Sequence, residues 1–210
     1  MYRTMTMAMM RNIKEEIKGL FTSLVEEDGK TLQRADLVEV RSAALAQWLT
    51  GEGWGMILAG RIGTGKTTYC NAVARALRGV RHRPYTLPVA VVTAAQVARA
   101  SVEDPNYYML LSMASVLVID DLGTEAVTVQ SWGNVSSPVV EMINERYRLR
   151  NRPTTGTGCD LLQRPKTLLT TNLPKAERGK RYGERVMDRL GECAGLVFKE
   201  NSYRQQKETI

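Results

Sequence analysis

Residues 56–68 read MILAGRIGTGKTT. A short apolar run, Met56 to Ala59, is followed by Gly60-Arg61-Ile62-Gly63-Thr64-Gly65-Lys66-Thr67 and then Thr68. The eight residues from Gly60 fit G-x-x-x-x-G-K-[ST] in full, and they stand between a predicted buried strand and a helix predicted over 66–77. Glycines let such a loop turn so that successive backbone N–H groups face inward on an anion. The helix that follows adds the positive end of its dipole. A nucleotide triphosphate is the expected occupant, cradled by Gly60 through Thr68. Lys66 is expected at the β- and γ-phosphates, and the Thr67 hydroxyl on Mg²⁺.

Working outward, Ser115-Val116-Leu117-Val118-Ile119-Asp120-Asp121 is the natural second half of such a site. Four successive apolar residues predict a strand buried on both faces. Its C-terminal end is where an open parallel sheet binds ligands, so Asp120 is expected beside the phosphate loop as the Mg²⁺ carboxylate. Asp121 is the candidate to polarise an attacking water. Further strands are predicted over 89–93, 167–171 and 196–199, alternating with helices over 66–77, 95–100, 107–113, 138–149 and 185–190. Strand alternating with helix predicts an α/β fold, a P-loop NTPase of three layers (α/β/α) around a central parallel sheet. Ahead of it, 11–28 reads as an amphipathic helix with Ile13, Ile17, Leu20, Phe21, Leu24 and Val25 on one stripe, and a second helix is predicted over 37–49. We therefore expect a short helical N-terminal extension over 1–36 and an ATPase domain over 37–210. Residues 151–166, rich in Pro, Gly and Thr, read as a loop.

Composition narrows the alternatives. The chain has 210 residues, 43% hydrophobic and 24% charged, which excludes collagen, coiled-coil rod and extended disorder. The longest mostly apolar run, Tyr107 to Ile119, is too short for the ~18–20 residues of a membrane helix, so no membrane partner is expected. No secretory signal is evident, and a cytoplasmic location is expected. Cys70, Cys159 and Cys193 are far apart and His82 is the sole histidine, so no zinc site and no Ser-His-Asp scheme can be assembled.

Charge is unevenly placed. The net charge is +7, and residues 144–210 carry 15 basic against 8 acidic residues, whereas 1–143 balance. An electropositive face for a polyanion is expected in the last third. Arg146 and Arg150, and likewise Arg148 and Arg152, are spaced i, i+4 and predict two basic rows at the end of one helix, to hold DNA phosphates with little sequence preference. Arg164, Lys166, Lys175, Arg178, Lys180 and Arg181 extend the basic segment.

Four stretches together carry a family resemblance: Asp120-Asp121-Leu122-Gly123-Thr124-Glu125, Leu169-Thr170-Thr171-Asn172, Tyr182-Gly183-Glu184-Arg185-Val186-Met187-Asp188-Arg189-Leu190, and Ser202-Tyr203-Arg204. In this order the chain resembles, over about 37–205, the AAA+ core of the DnaC/DnaI-type helicase loaders and of their relative, the IstB transposition ATPase. The resemblance implies an ATPase, slow and oligomer-dependent. Asn172 corresponds to sensor 1 and Arg204 to sensor 2. Arg189 corresponds to an arginine finger that acts on the nucleotide of a neighbouring subunit, with Arg185 on the same helical face. It further implies ATP-dependent self-association, single-stranded DNA and a replicative helicase hexamer as partners, and a role in DNA replication. An IstB-like helper on duplex DNA is the alternative, and a P-loop kinase and a non-hydrolysing scaffold are the other classes. Asp121 stands where AAA+ proteins commonly carry Glu, which sets its carboxylate back by about 1 Å or more. The stripe from Ile13 to Val25 has two readings, a helicase-docking element or packing on the chain's own core.

Overall fold

The structure, a computed structural model, describes residues 2–32, 34–79, 89–131, 133–151, 164–200 and 202–203. In chain order the elements are α1 (Tyr2–Glu27), α2 (Ala35–Thr50), β1 (Gly55–Gly60), α3 (Lys66–Gly79), β2 (Val89–Thr93), α4 (Ala94–Glu103), α5 (Pro105–Met113) and β3 (Val116–Leu122). They continue with β4 (Val129–Ser131), β5 (Asn134–Ser136), α6 (Pro138–Leu149), β6 (Lys166–Thr171), α7 (Lys175–Tyr182), α8 (Glu184–Gly191) and β7 (Ala194–Phe198).

Five strands form one sheet in the order β2-β3-β6-β1-β7, every pair parallel. The period-two alternation of a strand divides its side chains between two cores. Met56, Leu58, Val116, Val118 and Leu168 face α1, α2 and α3, where they meet Ile17, Phe21, Leu45, Leu49, Val73 and Leu77. Ile57, Leu117, Ile119 and Leu169 face the other way, onto Val97, Leu111, Val139, Met142, Ile143, Val186 and Leu190 of α4, α5, α6 and α8. This is the expected three-layer α/β/α arrangement with a helix ahead of it. Val116 to Ile119 are each 0% exposed, and burying such side chains stabilises by about 1.5–3 kcal/mol apiece. The helices start on local signals. A capping box at Thr93, with the Gln96 amide N–H on the Thr93 hydroxyl, opens α4, and Asp104 with Pro105 opens α5.

Two expectations from charge are corrected, and one open reading from amphipathicity is decided. Arg146 is 1% exposed and cannot reach a nucleic-acid phosphate. It sits on the buried stripe of α6 with Val139, Met142, Ile143 and Leu149. Its guanidinium donates to the carbonyls of Ser112 (2.9 Å), Ala114 (2.5 Å) and Lys166 (2.6 Å) and to Thr167 Oγ1 (3.0 Å). Lys166 is also 1% exposed, with its ammonium on the carbonyls of Gly51 and Gly53. Burial pushes its pKa down to about 8. Finally, Ile13, Ile17, Phe21 and Val25 are between 0% and 4% exposed against α2 and α3, so that stripe belongs to the chain's own core. Lys14 and Lys18 tie the same helix to Glu39 at 2.5 and 2.6 Å.

Two features escaped the sequence reading. The β4–β5 hairpin has strands of three residues, too short for alternation to show. Helix α7 reads KAERGKRY, with Tyr182 as its only buried residue, so it carries no apolar period.

Candidate nucleotide site

Strands β1, β3 and β6 end side by side, and their C-terminal edges bring together Gly60, Asp120 and Thr171. Such an edge is where open parallel sheets bind ligands. At Gly60 the backbone runs so close to β7 that an added Cβ would lie 2.2 Å from the Phe198 carbonyl oxygen. Gly65 holds φ +92° and is backed by the Phe21 ring, 3.3 Å from where a Cβ would stand. Phe21 in turn stacks on Tyr69 at 3.9 Å. The N-terminal helix is thus the floor under the phosphate loop. Above that floor Lys66, 5% exposed, donates from Nζ to the carbonyls of Gly60 (2.8 Å) and Arg61 (2.7 Å). Thr64 donates to the Arg61 carbonyl at 2.9 Å, and the Tyr203 amide donates to the Gly63 carbonyl at 2.8 Å.

A cleft of about 400 Å³ runs along this loop, within the usual range for small-molecule sites. Ile62, Gly63, Gly65, Lys66, Thr67, Thr68 and Asn71 line it, together with Asp121, Thr124 and Asn172. Val25, Asp28, Lys30 and Tyr203 also line it. Gly29, at φ +67°, ends α1 in a Schellman turn, with Lys30 N–H on the Val25 carbonyl and Gly29 N–H on that of Glu26. That turn brings Asp28 and Lys30, paired at 2.6 Å, to the cleft.

Asp120 is 6% exposed, and its Oδ1 accepts from the Thr170 hydroxyl at 2.5 Å. Asp121 has φ +57° and donates its N–H to the same hydroxyl at 2.8 Å. Asn172 Oδ1 is buried without a hydrogen-bond partner. An acceptor left so costs about 1–3 kcal/mol unless a donor arrives, as an ordered water or a ligand would supply. The residues present therefore suit a nucleotide with Mg²⁺: a cradle of backbone N–H groups, an ammonium, the Thr67 hydroxyl, two carboxylates and an orphaned amide oxygen.

The other expected positions are dispersed. Arg189 lies outside the cleft of its own chain; it donates to Asn144 Oδ1, with its guanidinium 4.9 Å from the Tyr147 ring. Arg185 is exposed on the same helix. Arg148 makes a double contact to Glu145 at 2.8 and 2.6 Å. Arg150 stacks on Tyr147 at 3.6 Å and lies 4.0 Å from Glu192. Arg152 and Arg204 fall outside the described residues.

Sequence reading did not single out Glu125 or Thr170. Glu125, 5% exposed, accepts from the Gly123 amide (2.8 Å) and the Tyr182 hydroxyl (2.6 Å), and Arg181 donates to its backbone carbonyl. Burial and this carboxylate raise the Tyr182 pKa. The loop after Asp121 is thereby tied to α7. Nothing local signals it, because Tyr182 lies 57 residues on.

No protein-family model matches the chain, and no curated protein does. Solved structures do match in fold. The AMPPCP-bound DnaA from Aquifex aeolicus aligns with a TM-score of 0.58 at 15% identity, over 83% of this chain and 50% of that one. The DnaC helicase loader aligns with a TM-score of 0.50 at 20% identity, over 78% of this chain and 90% of the loader. A replication initiator DnaA bound to AMPPCP and single-stranded DNA aligns at 0.53 and 15% identity, over 77% of this chain and 46% of that one. The chain thus spans about half the length of these DnaA chains and nearly all of the loader. It has the AAA+ P-loop fold.

Proposed function

We propose that this chain is an ATP-dependent DNA-replication accessory protein, of the kind that binds single-stranded DNA and helps place a replicative helicase hexamer, with slow ATP hydrolysis. The observation that carries the reading is that Asp121 and Asn172 line one cleft together with Lys66 and Thr67. A nucleotide kinase would instead need a second pocket for its phosphoryl acceptor. The fold shared with the DnaC helicase loader, over 90% of that chain, is in keeping with the loader reading.

In this reading Lys66 releases one of its two carbonyl partners and turns its ammonium to the β- and γ-phosphates. Thr67 and Asp120 would hold Mg²⁺, which when bound would supply positive charge against that developing on the transferred phosphoryl group. Asp121 accepts a hydrogen bond from the water that attacks the γ-phosphorus, and the bond to the β–γ bridging oxygen breaks to release ADP. Asn172, with its amide oxygen unpartnered, orients that water. Arg189, turned away from its own cleft, is the finger for a neighbouring copy, so the site is complete only between subunits. Arg204 completes the site as sensor 2.

For DNA, the cations of α6 are either buried or beside carboxylates. On α7 and α8, Lys175, Lys180 and Arg185 are exposed, and no carboxylate among the described residues lies within ion-pair distance of them. We place the phosphate contacts there. The test combines MgATP turnover with fluorescence anisotropy on a labelled oligothymidylate and on a duplex of equal length. Turnover abolished by Lys66→Ala, together with single-strand affinity that falls steeply with salt and drops about tenfold in K175E/K180E, supports the reading. Duplex preference favours the transposition helper, and turnover unaffected by Lys66→Ala refutes the ATPase.

A further inference from the structure

The ladder between β3 and β6 slips beside the cleft. Ile119 pairs with Leu169 and Leu122 pairs with Thr171, so Asp120 and Asp121 together stand opposite the single residue Thr170. This is a β-bulge, a device that bends a strand and re-aims a side chain. In a regular strand consecutive side chains point to opposite faces. Here Asp121 holds φ +57°, and among the described residues Arg34 is the only other non-glycine residue at positive φ. Asp and Asn tolerate that conformation better than longer or branched side chains do. Asp121 consequently lines the cleft, while Asp120 stays 6% exposed just behind it.

One hydroxyl holds both. Thr170 is 0% exposed. Its single O–H proton is committed to Asp120 Oδ1 at 2.5 Å, which leaves a lone pair to accept the Asp121 N–H at 2.8 Å. The same atom thus fixes the rotation of the metal-binding carboxylate and the backbone conformation that delivers the water-polarising one.

We propose that Thr170 is a positioning residue of the hydrolytic site, and that the bulge it pins carries Asp121 forward and offsets the missing methylene relative to glutamate. The inference rests on the reading of the cleft as an ATPase site. Thr170→Val keeps shape and β-branching while deleting both hydrogen bonds. Asp120 Oδ1 and the Asp121 N–H then lose their partner, and the bulge loses its tie. A misplacement of about 1 Å at a reacting group can cost a hundredfold in rate.

The experiment measures kcat and KM for MgATP and the Mg²⁺ concentration for half-maximal rate. It also measures the affinity for a fluorescent ATP analogue in EDTA, where the phosphate loop acts alone. For T170V we expect kcat to fall at least tenfold and the Mg²⁺ requirement to rise, with analogue affinity in EDTA within twofold of the parent. Thr170→Ser, which restores the hydroxyl, should recover kcat to within about threefold. A merely structural threonine would lower analogue affinity along with kcat and would not separate Ser from Val on the Mg²⁺ titration. Asp121→Glu tests the offset independently of how well T170V folds: on this bulge the longer side chain overshoots, so kcat falls. A T170V kcat within threefold of the parent, or an Asp121→Glu rate several-fold above it, overturns the proposal. A parent whose turnover equals that of Lys66→Ala overturns instead the ATPase reading beneath it.

Discussion

Arg146→Met separates a structural arginine from a DNA-binding one. The guanidinium makes four hydrogen bonds, of 2.5 to 3.0 Å, to three backbone carbonyls and one hydroxyl. Bonds from a charged donor contribute roughly 1.5–3 kcal/mol each, so the four give about 6–12 kcal/mol. Against this stands the burial of a cation with no carboxylate among those contacts. Burial pushes the Arg146 pKa from the usual 12.5 down to about 10, which at neutral pH corresponds to a cost of about 3 kcal/mol. The arginine stays protonated there, and its net contribution is about 3 kcal/mol or more. Methionine refills the volume of the stem and cannot donate, so the carbonyls of Ser112, Ala114 and Lys166 lose that donor. We take the lower end and expect a loss of about 3 kcal/mol, or about 6–12 °C in Tm for a chain of this size. Urea unfolding followed by circular dichroism measures it, with the midpoint lowered at an unchanged slope. Oligonucleotide affinity, read where the variant is still folded, should match the parent. A variant within 1 kcal/mol of the parent that binds DNA tenfold more weakly would show that Arg146 works at the surface, and the burial argument would fail.

Other outcomes follow from the site. Asp120→Asn should retain nucleotide binding and lose Mg²⁺-dependent turnover, checked by filter binding and phosphate release; full hydrolysis would move the metal carboxylate elsewhere. Arg189→Ala should bind ATP normally and hydrolyse it poorly, since a true finger is worth ~10³–10⁵ in rate, and mixing it with Lys66→Ala subunits should restore part of the turnover. A mixture as inactive as its components, with assembly intact by light scattering, would rule out a shared site. Lys166 has its folded pKa lowered to about 8 from 10.5, so burial of the charged form costs stability below pH 8. That cost is relieved as pH rises from 8 towards 10.5, by up to about 3 kcal/mol. Relative to Lys166→Met, the parent should therefore gain stability over that window in pH-dependent melts, and parallel curves would contradict the shift.

The fold was legible because its signals are local and repeated. Val116 to Ile119 announce a strand covered on both faces, and the phosphate loop sits where strand gives way to helix. What escaped is set by partners distant in the chain. Glu125 reads as one more surface acid until Tyr182 and Arg181 close over it, and the bulge at Asp120 and Asp121 appears only against the register of β6. Asp121 lines the cleft, although simple alternation after Asp120 turns it away.

Arg146 is different, because its signal was present and was masked by its sign. Val139, Met142, Ile143 and Arg146 recur at i, i+3, i+4 and i+7, the spacing of a helix face turned to a core, and Leu149 continues it. A residue in that phase is buried whatever its charge, and a long cation there is tolerated only if the ends of neighbouring strands and helices offer it carbonyls. The C-terminal end of α5 and the N-terminal end of β6 do so, through Ala114 and Lys166. Charge read along a chain therefore has to be phased against the apolar stripe before it is assigned to a surface. On α6 that phasing removes Arg146 and leaves Arg148 beside Glu145. On α7 there is no apolar stripe, so nothing draws Lys175 or Lys180 inward, and the positive surface of the last third gathers there.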